Sequence, residues 1–424
     1  MSNVYDAGKV IIVGKKVSLK KFSGADELNI YAQVSSFDIY EDLDNYTVTA
    51  DFYITDGIEL INNYPLGGEE TIEVTIQTPS RGAITYNFMI NAIQNMKTND
   101  MANLRSYVLR CVTKDFLKNS SMSFTKRYTD MKYDIALATL LNVDMSAGTP
   151  LVTLEQTKGH FDYVVNNKRP FQIIDVIKER AVSQKYLSSV FVFYEDNQGY
   201  HFQTIEKLIA DRKAGAAGKK YEYRTGNKAD FKLNVNAWEI LSYEVMSQGQ
   251  QAEKTKKGAM RNQYREFDIF RGTYFNTEEY INISDHGSYT AIDQGIDLNS
   301  PDFNAFTQQL PSVTRMAVTD SLRPEMEHNK NLHYQRPFIE RMTQQGVRIR
   351  VYGNTDIKVG DIVQLNLPEI SGLSGRAPKK VEIFSNNYMI TALKHRCDKN
   401  EANEFVHTMV YELRKPDQFG KSLG

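Results

Sequence analysis

From Leu28 to Thr113 the side chains alternate between apolar and polar, the period of two that strands show when one face is buried and the other wet. TVTADFYI puts Val48, Ala50, Phe52 and Ile54 on one side and Thr47, Thr49 and Asp51 on the other. TIEVTIQTP repeats the pattern with Ile72, Val74 and Ile76, and ITYNFMINAI with Ile84, Tyr86, Phe88, Ile90 and Ala92. Between these runs DLDN, NNYPLGGEE and TPSRGA supply turns, because Pro fixes φ and Gly permits positive φ. An antiparallel sandwich or barrel is the expected outcome.

The period changes after Thr113. YTDMKYDIALATLLN predicts a helix capped by Thr129 with Met131, Ile135, Ala138 and Leu141 inward, and RPFQIIDVIKERAVS a second with Ile173, Ile174, Ile177 and Ala181. A hairpin follows, Val190 to Tyr194 and Tyr200 to Thr204, turning at Asn197-Gln198-Gly199. Residues 211–258 loosen into Gly-, Ala-, Lys- and Gln-rich linkers around FKLNVNAWEILSYEV, a predicted strand crossing back toward a β unit. Residues 275–329 offer no readable period, and HYQRPFIERMTQQG predicts a short helix. Alternation returns at Val347, Ile349 and Val351. In GNTDIKVGDIVQLNLPEISG, Gly353, Asn354 and Asp356 predict a bend and Gly360 with Asp361 a second turn. A strand then runs from Ile362 to Leu367, with Ile362 and Leu365 on opposite faces, until Pro368 ends it.

At 424 residues the chain exceeds one compact core, so about two to four domains are expected. Lys+Arg 51 against Asp+Glu 52 gives a formal charge of -1, which supplies no overall attraction to nucleic acid, although KKYEYR (Lys219 to Arg224) is locally basic and aromatic. Cys111 and Cys397 lack C-x-x-C spacing, which argues against a disulfide scaffold or zinc site and fits a reducing cytoplasm; Cys111 reads as a small core hydrophobe. The apolar run Val10 to Val13 is far below a signal-peptide core, and no run approaches about 18 residues, so a chain soluble when made is expected.

Chemistry is sparse. Gly215, Gly218 and Lys219 lack the spacing of a phosphate loop, and His328 and His333 are five apart rather than four, so they do not stack as a metal pair on a helix. Glu41, Asp42 and Asp44, and likewise Glu325 and Glu327, are expected in turn and surface roles; no G-x-S-x-G elbow occurs. Catalytic, metal and cofactor-binding residues are therefore none, and no enzyme is expected. The 25 tyrosines and 21 phenylalanines suit β cores or large protein interfaces.

The order of these features resembles the baseplate hub proteins of contractile-tailed bacteriophages, related to the N-terminal part of type VI secretion spike proteins. TADFYITDGIELINNYPLGGEETIEVTIQTP, KRPFQIIDVIKERAVSQKYLSSVFVFYEDNQGYHFQTIEKL, GNTDIKVGDIVQLNLPEISG and NYMITALKHRCDKNEANEFVHTMVYELRKP carry the resemblance, over nearly the whole chain. It implies a mainly β fold with α+β insertions, in which two tube-like antiparallel β-barrel domains bracket a small α/β domain. The expected divisions are 1–125 for the first barrel, 126–210 for the α/β domain, 211–258 for a linker and crossing strand, 259–340 for an interface or α+β segment, and 341–424 for the second barrel, completed by strands from 228–246.

The resemblance further implies a homotrimeric ring in a virion tail baseplate, assembled in the host bacterial cytoplasm. Its partners would be the central spike, the tail tube or its initiator, the tape-measure protein and the baseplate wedge proteins, with DNA only in transit. Thr47, Thr49 and Asp51 become channel-facing candidates, and Gly353, Gly360, Asp361, Ile362 and Leu365 structural ones. Two alternatives stand beside it: a cell-wall-binding module, since IKVGDIVQLNLP is similar to the end of a LysM unit, and a tail-associated hydrolase.

Overall fold

The computed structural model describes residues 4–5, 17–20, 27–212, 219–223, 235–248, 261–280, 313–319, 339, 342, 345–367 and 385–415, apart from breaks of one to three positions within those spans. The chain is mainly β, and a 13-stranded sheet dominates it. In a first β unit Val34–Asp42, Thr49–Asp56, Leu104–Val112, Ala83–Asn99 and Thr71–Gln77 lie side by side in that order, each antiparallel to the next. Their alternation sorts the side chains as expected: Val48, Ala50, Phe52, Ile54, Ile72, Val74, Ile76, Phe88 and Ile90 share one buried core. Each large apolar side chain removed from water there contributes about 1.5–3 kcal/mol.

A second β unit is assembled from segments far apart in the chain. Gln345–Tyr352 lies between Ile240–Gln248 and Phe405–Arg414, and Phe405–Arg414 pairs with Asn387–Lys399, whose first residues pair with Ile362–Asn366. Ile362–Asn366 takes Lys220–Glu222 as a parallel neighbour, and Glu222 bridges to Glu239, the residue before Ile240–Gln248. The pairing thus reaches the residue just before the strand it began from, around a core that includes Tyr221, Val347, Ile349, Val351, Val363, Leu365 and Tyr388.

The two units share one sheet. Asn387–Lys399 is 13 residues long, and its segment Ala392–Asp398 pairs with Ser36–Asp42 of the first unit. Residues two apart in a strand share a face. Along one face of this strand Leu393 enters the second core and Cys397 the first, with His395 between them.

A third core belongs to the α/β unit. Helix Pro170–Arg180 presents Ile173, Ile174 and Ile177 to the hairpin Phe191–Asp196/Gly199–Thr204 and to the ribbon of Phe124–Met131 with Phe161–Lys168. Pro170 opens the helix, and the Gln172 side chain accepts the Arg169 N–H at 3.0 Å, so its first turn is specified locally.

Several expectations change. YTDM belongs to the strand Phe124–Met131, and the helix begins at Tyr133 rather than behind Thr129. Tyr133, Ala136 and Leu137 are its buried face, it runs on into a π-helical turn at Leu140–Asp144, and Ile135 is exposed. Leu137, Leu140 and Leu141, spaced i, i+3 and i+4, form the stronger apolar stripe and turn Ile135 to solvent. Lys220–Glu222 is a strand where a linker is expected, because Tyr221 is fully buried against Trp238 and Tyr411. Gln345 and Gly346 belong to a strand where the end of a short helix is expected. Within the segment 259–340, Arg261–Asp268 pairs antiparallel with Thr273–Tyr280 and parallel with Val313–Thr319.

Candidate functional site

The loop from Gly353 to Asp361 touches all three units. Gly353 donates its N–H to the His407 carbonyl at 3.0 Å, and a Cβ at this position would lie 2.0 Å from His407 Nδ1, so only glycine fits. The Asn354 side chain accepts from the Asp356 N–H at 3.1 Å and closes the bend. Thr355 reaches the first unit, with its Oγ1 2.8 Å from Thr78 Oγ1 and 2.8 Å from the Gly82 carbonyl, to which it donates. Lys358 Nζ lies 3.7 Å from Asp196 of the α/β unit. Gly360, at φ +84, abuts Leu208 of helix Ile205–Arg212.

Asp361 completes the loop. Its carboxylate is fully buried and accepts from Arg212 at 2.8 Å, Lys219 at 2.6 Å and the Lys358 N–H at 3.1 Å. A buried charge is tolerable when its oxygens are filled by opposite charges and N–H donors, and here both cations come from outside the loop. The carboxylate therefore holds the loop to the α/β helix and to the strand that follows it. Ile362 and Leu365, on opposite faces of the next strand, are both buried, at 3% and 0% exposure.

Behind the loop a polar chain crosses from one β unit to the other. Tyr86 Oη donates to Glu41 Oε1 at 2.6 Å, His395 Nε2 lies 3.4 Å from Tyr86 Oη, and His395 Nδ1 lies 3.0 Å from His407 Nε2. One consistent proton order runs from His407 through His395 to Tyr86 and Glu41. Burial pushes the Glu41 carboxyl up to about 8; the Tyr86 hydrogen bond opposes this, the Asp196 charge adds to it, Lys358 opposes and Glu195 adds. Burial lowers His395 to about 3 and, with His395 beside it, holds His407 well below the usual imidazole range. At neutral pH the chain is thus a protonated acid and two neutral imidazoles, with no net charge between the cores.

Sequence reasoning missed this chain, placing Glu41 in a surface turn. Glu41 lies within the strand Val34–Asp42 and is buried. Parity is the signal that finds it: Glu41 follows Phe37 and Ile39 on the inward face, His395 lies between Leu393 and Cys397, and His407 between Phe405 and Met409.

On the opposite face the shared sheet is polar across both units. Cross-strand neighbours run Glu244, Arg348, Glu412 in one row and Arg396, Asp38, Asp51, Arg110 in another, with Arg350, Val410, Lys394, Tyr40 and Thr49 between. Asp51 pairs with Arg110 at 3.3 Å, Asp38 with Lys394 at 2.7 Å, Asp398 with Arg396 at 2.7 Å, and Arg348 with Glu412 at 2.7 Å and Glu244 at 3.2 Å. Lys394 also sits over the Tyr40 ring, 5.1 Å from its centre. Thr49 and Asp51 belong to this face and are half-buried. Thr47 precedes the strand, is buried, and adds no exposed surface.

Both cysteines are buried and unpaired, and among the described residues no cluster of His, Cys, Asp or Glu is placed to hold a metal ion. Gly215, Gly218, Glu325, Glu327, His328 and His333 lie outside the described residues. IKVGDIVQLNLP is not a separable cell-wall-binding unit, since its strand pairs on both edges inside the second β unit.

Two solved structures have this fold over almost the entire chain, and both are tail proteins. One, from Neisseria meningitidis, has a TM-score of 0.54 at 12% identity and covers 95% of this chain and 98% of its own. The other, the 43 kDa tail protein of prophage MuSo2 from Shewanella oneidensis, has a TM-score of 0.54 at 10% identity and covers 95% and 99%. At these identities the fold is what is shared. A curated protein, the probable baseplate hub protein gp334 of Vibrio phage KVP40, is 21% identical over 411 residues, 89% of each chain. The chain therefore resembles a baseplate hub protein over most of its length, as its strand order and turn segments indicate. No protein-family model matches it.

Proposed function

We propose that this chain is a structural component of a phage tail baseplate: the hub, of which three copies form a ring joining the central spike to the hexameric tail tube. The observation that carries the reading is the pairing of Ala392–Asp398 with Ser36–Asp42, which sets two β units side by side in one polypeptide. Three such chains present six units, the number a hexameric tube requires. The resemblance over 89% of a probable baseplate hub protein supports the same class.

In this reading each β unit is a tube-like domain, and the polar face with Thr49 and Asp51 borders the passage for genome ejection. Gly353, Gly360 and Asp361 set the angle between units, while Ile362 and Leu365 anchor the strand that follows. The partners are the spike, the tail tube or its initiator, the tape-measure protein and wedge proteins, within a virion assembled in the host cytoplasm. The role is mechanical, and catalysis has no part in it. A ring of this kind needs an obligate interface on the order of 2,000 Å² or more per contact.

Native mass measurement of the purified protein, alone and with its spike partner, tests the reading. A trimer in either sample is expected. A chain that stays monomeric in both overturns it.

A further inference from the structure

The polar face raises a question of electrostatics. Five cations, Arg110, Arg348, Arg350, Lys394 and Arg396, stand on three strands of one face, Leu104–Val112, Gln345–Tyr352 and Asn387–Lys399, which one or two intervening strands hold about 10 to 14 Å apart. Unopposed, cations at that density would hold a polyphosphate, because each phosphate neutralised releases condensed counterions. Four of the five are opposed. Arg110, Arg348, Lys394 and Arg396 each lie within 3.3 Å of a carboxylate oxygen, and Arg350 reaches the Thr408 hydroxyl at 3.4 Å.

We propose that Asp38, Asp51, Asp398 and Glu412 mask the cations of this face, so that a polyanion, duplex DNA, travels over it without being held. The proposal rests on the reading that the face borders a passage, whereas the masking itself is a property of the single chain. Paired charges keep such a wall hydrated, so it offers no apolar patch, and they leave little net field to trap a phosphate backbone. To bind at any of the four paired cations, a phosphate would have to displace a carboxylate already in contact. A purely structural role for the pairs, tying adjacent strands together, makes a different prediction, because removing an acid would then loosen the sheet without creating affinity.

The experiment is anisotropy of a short labelled DNA duplex, titrated with the full chain across a range of salt concentrations. Wild type is compared with the double variant Asp51→Asn/Asp398→Asn, which leaves Arg110 and Arg396 without a carboxylate in contact. At low salt the double variant is expected to bind about tenfold more tightly or better, with a steeper fall of affinity as salt rises, near two additional phosphates' worth. Adding Arg110→Gln and Arg396→Gln should return binding to the wild-type level. The proposal is overturned if a variant with the wild-type circular dichroism spectrum gains no affinity, or if wild type already binds as tightly as the variant. Should the double variant not fold, Asp51→Asn alone carries the test, since its Arg110 partner is half-exposed. Mass measured on the same samples separates the two readings: a monomer that gains DNA affinity keeps the masking and removes the ring, and a trimer that gains none does the reverse.

Discussion

The strands Thr49–Asp56 and Ile362–Asn366 lie in the same sheet yet are built on different terms. In the first, Ala50, Phe52, Ile54 and Asp56 are buried while Thr49, Asp51, Tyr53 and Thr55 keep contact with solvent. In the second, Ile362, Val363, Leu365 and Asn366 are all buried and Gln364 alone is partly exposed. The neighbours explain the contrast. Thr49–Asp56 pairs with strands within about sixty residues of it, whereas Ile362–Asn366 is flanked by Lys220–Glu222, far upstream, and by Asn387–Lys399. A one-sided strand writes its environment into its own alternation, and a two-sided one takes its environment from elsewhere in the chain.

The largest expected effect breaks that contrast directly. Leu365→Asp places an unpaired charge in the second core and Ile362→Asp places one at a buried position on the opposite face of the strand, and each should cost more than about 4 kcal/mol. Thr49→Asn, on the polar face of the other strand, should stay within about 0.5 kcal/mol. Thermal melts of the three variants decide the matter. A wild-type melting temperature for either aspartate variant would show that one face of Ile362–Asn366 is open to water.

A glycine in each unit sharpens the comparison at smaller scale. Gly353→Ala forces its methyl into the His407 ring, so the ring must move and the hydrogen bond to His395 is strained or lost. Overpacking and the broken bond together should cost about 3 kcal/mol. Gly82, in the first unit, has no atom within 4 Å of its added Cβ, and Gly82→Ala should change stability by about 0.5 kcal/mol or less. Denaturant midpoints that shift equally for the two would mean that the loop yields to the methyl.

Legibility in the sequence follows the same division. The first unit was readable because turn residues separate short alternating runs, and the apolar parity of Val48 to Ile54 and Ile72 to Ile76 matches the buried set. Helix Pro170–Arg180 was readable from its isoleucines. The second unit was readable only in part, since the closing strand Lys220–Glu222 is three residues long, sits in a charged stretch, and owes its place to one buried tyrosine. Turn chemistry located the bend at Gly353 and Asn354, but nothing local announces that Asp361 binds Arg212 and Lys219, 149 and 142 residues away. Glu41 was hidden by its company, because YEDLDNY looks like a turn until the parity of Phe37 and Ile39 is carried two residues further.

The two units also meet in acid–base terms, and there they pull stability in opposite directions. Glu41, of the first unit, keeps its proton in the folded chain up to about 8, while the unfolded carboxyl sheds it near 4.5. Between those values the folded state binds the extra proton, so stability falls as pH rises through the window. His395 and His407, of the second unit, stay neutral in the folded chain below the 6.5 at which unfolded imidazole protonates. Their contribution is lost as pH falls from 6.5 and is fully present above it. Above 6.5 the acid is therefore the member of the chain that still titrates, at about 1.4 kcal/mol per pH unit, or about 2 kcal/mol by pH 8. Glu195, pushed up to about 7 by burial, adds to the decline only over its first part. Glu41→Gln keeps a hydrogen-bond acceptor for Tyr86 and has nothing to ionise, so its unfolding free energy should be nearly flat from pH 7 to 8 where wild type declines. Parallel curves for the two proteins would place the ionised carboxylate in contact with water and dissolve the opposition between the units.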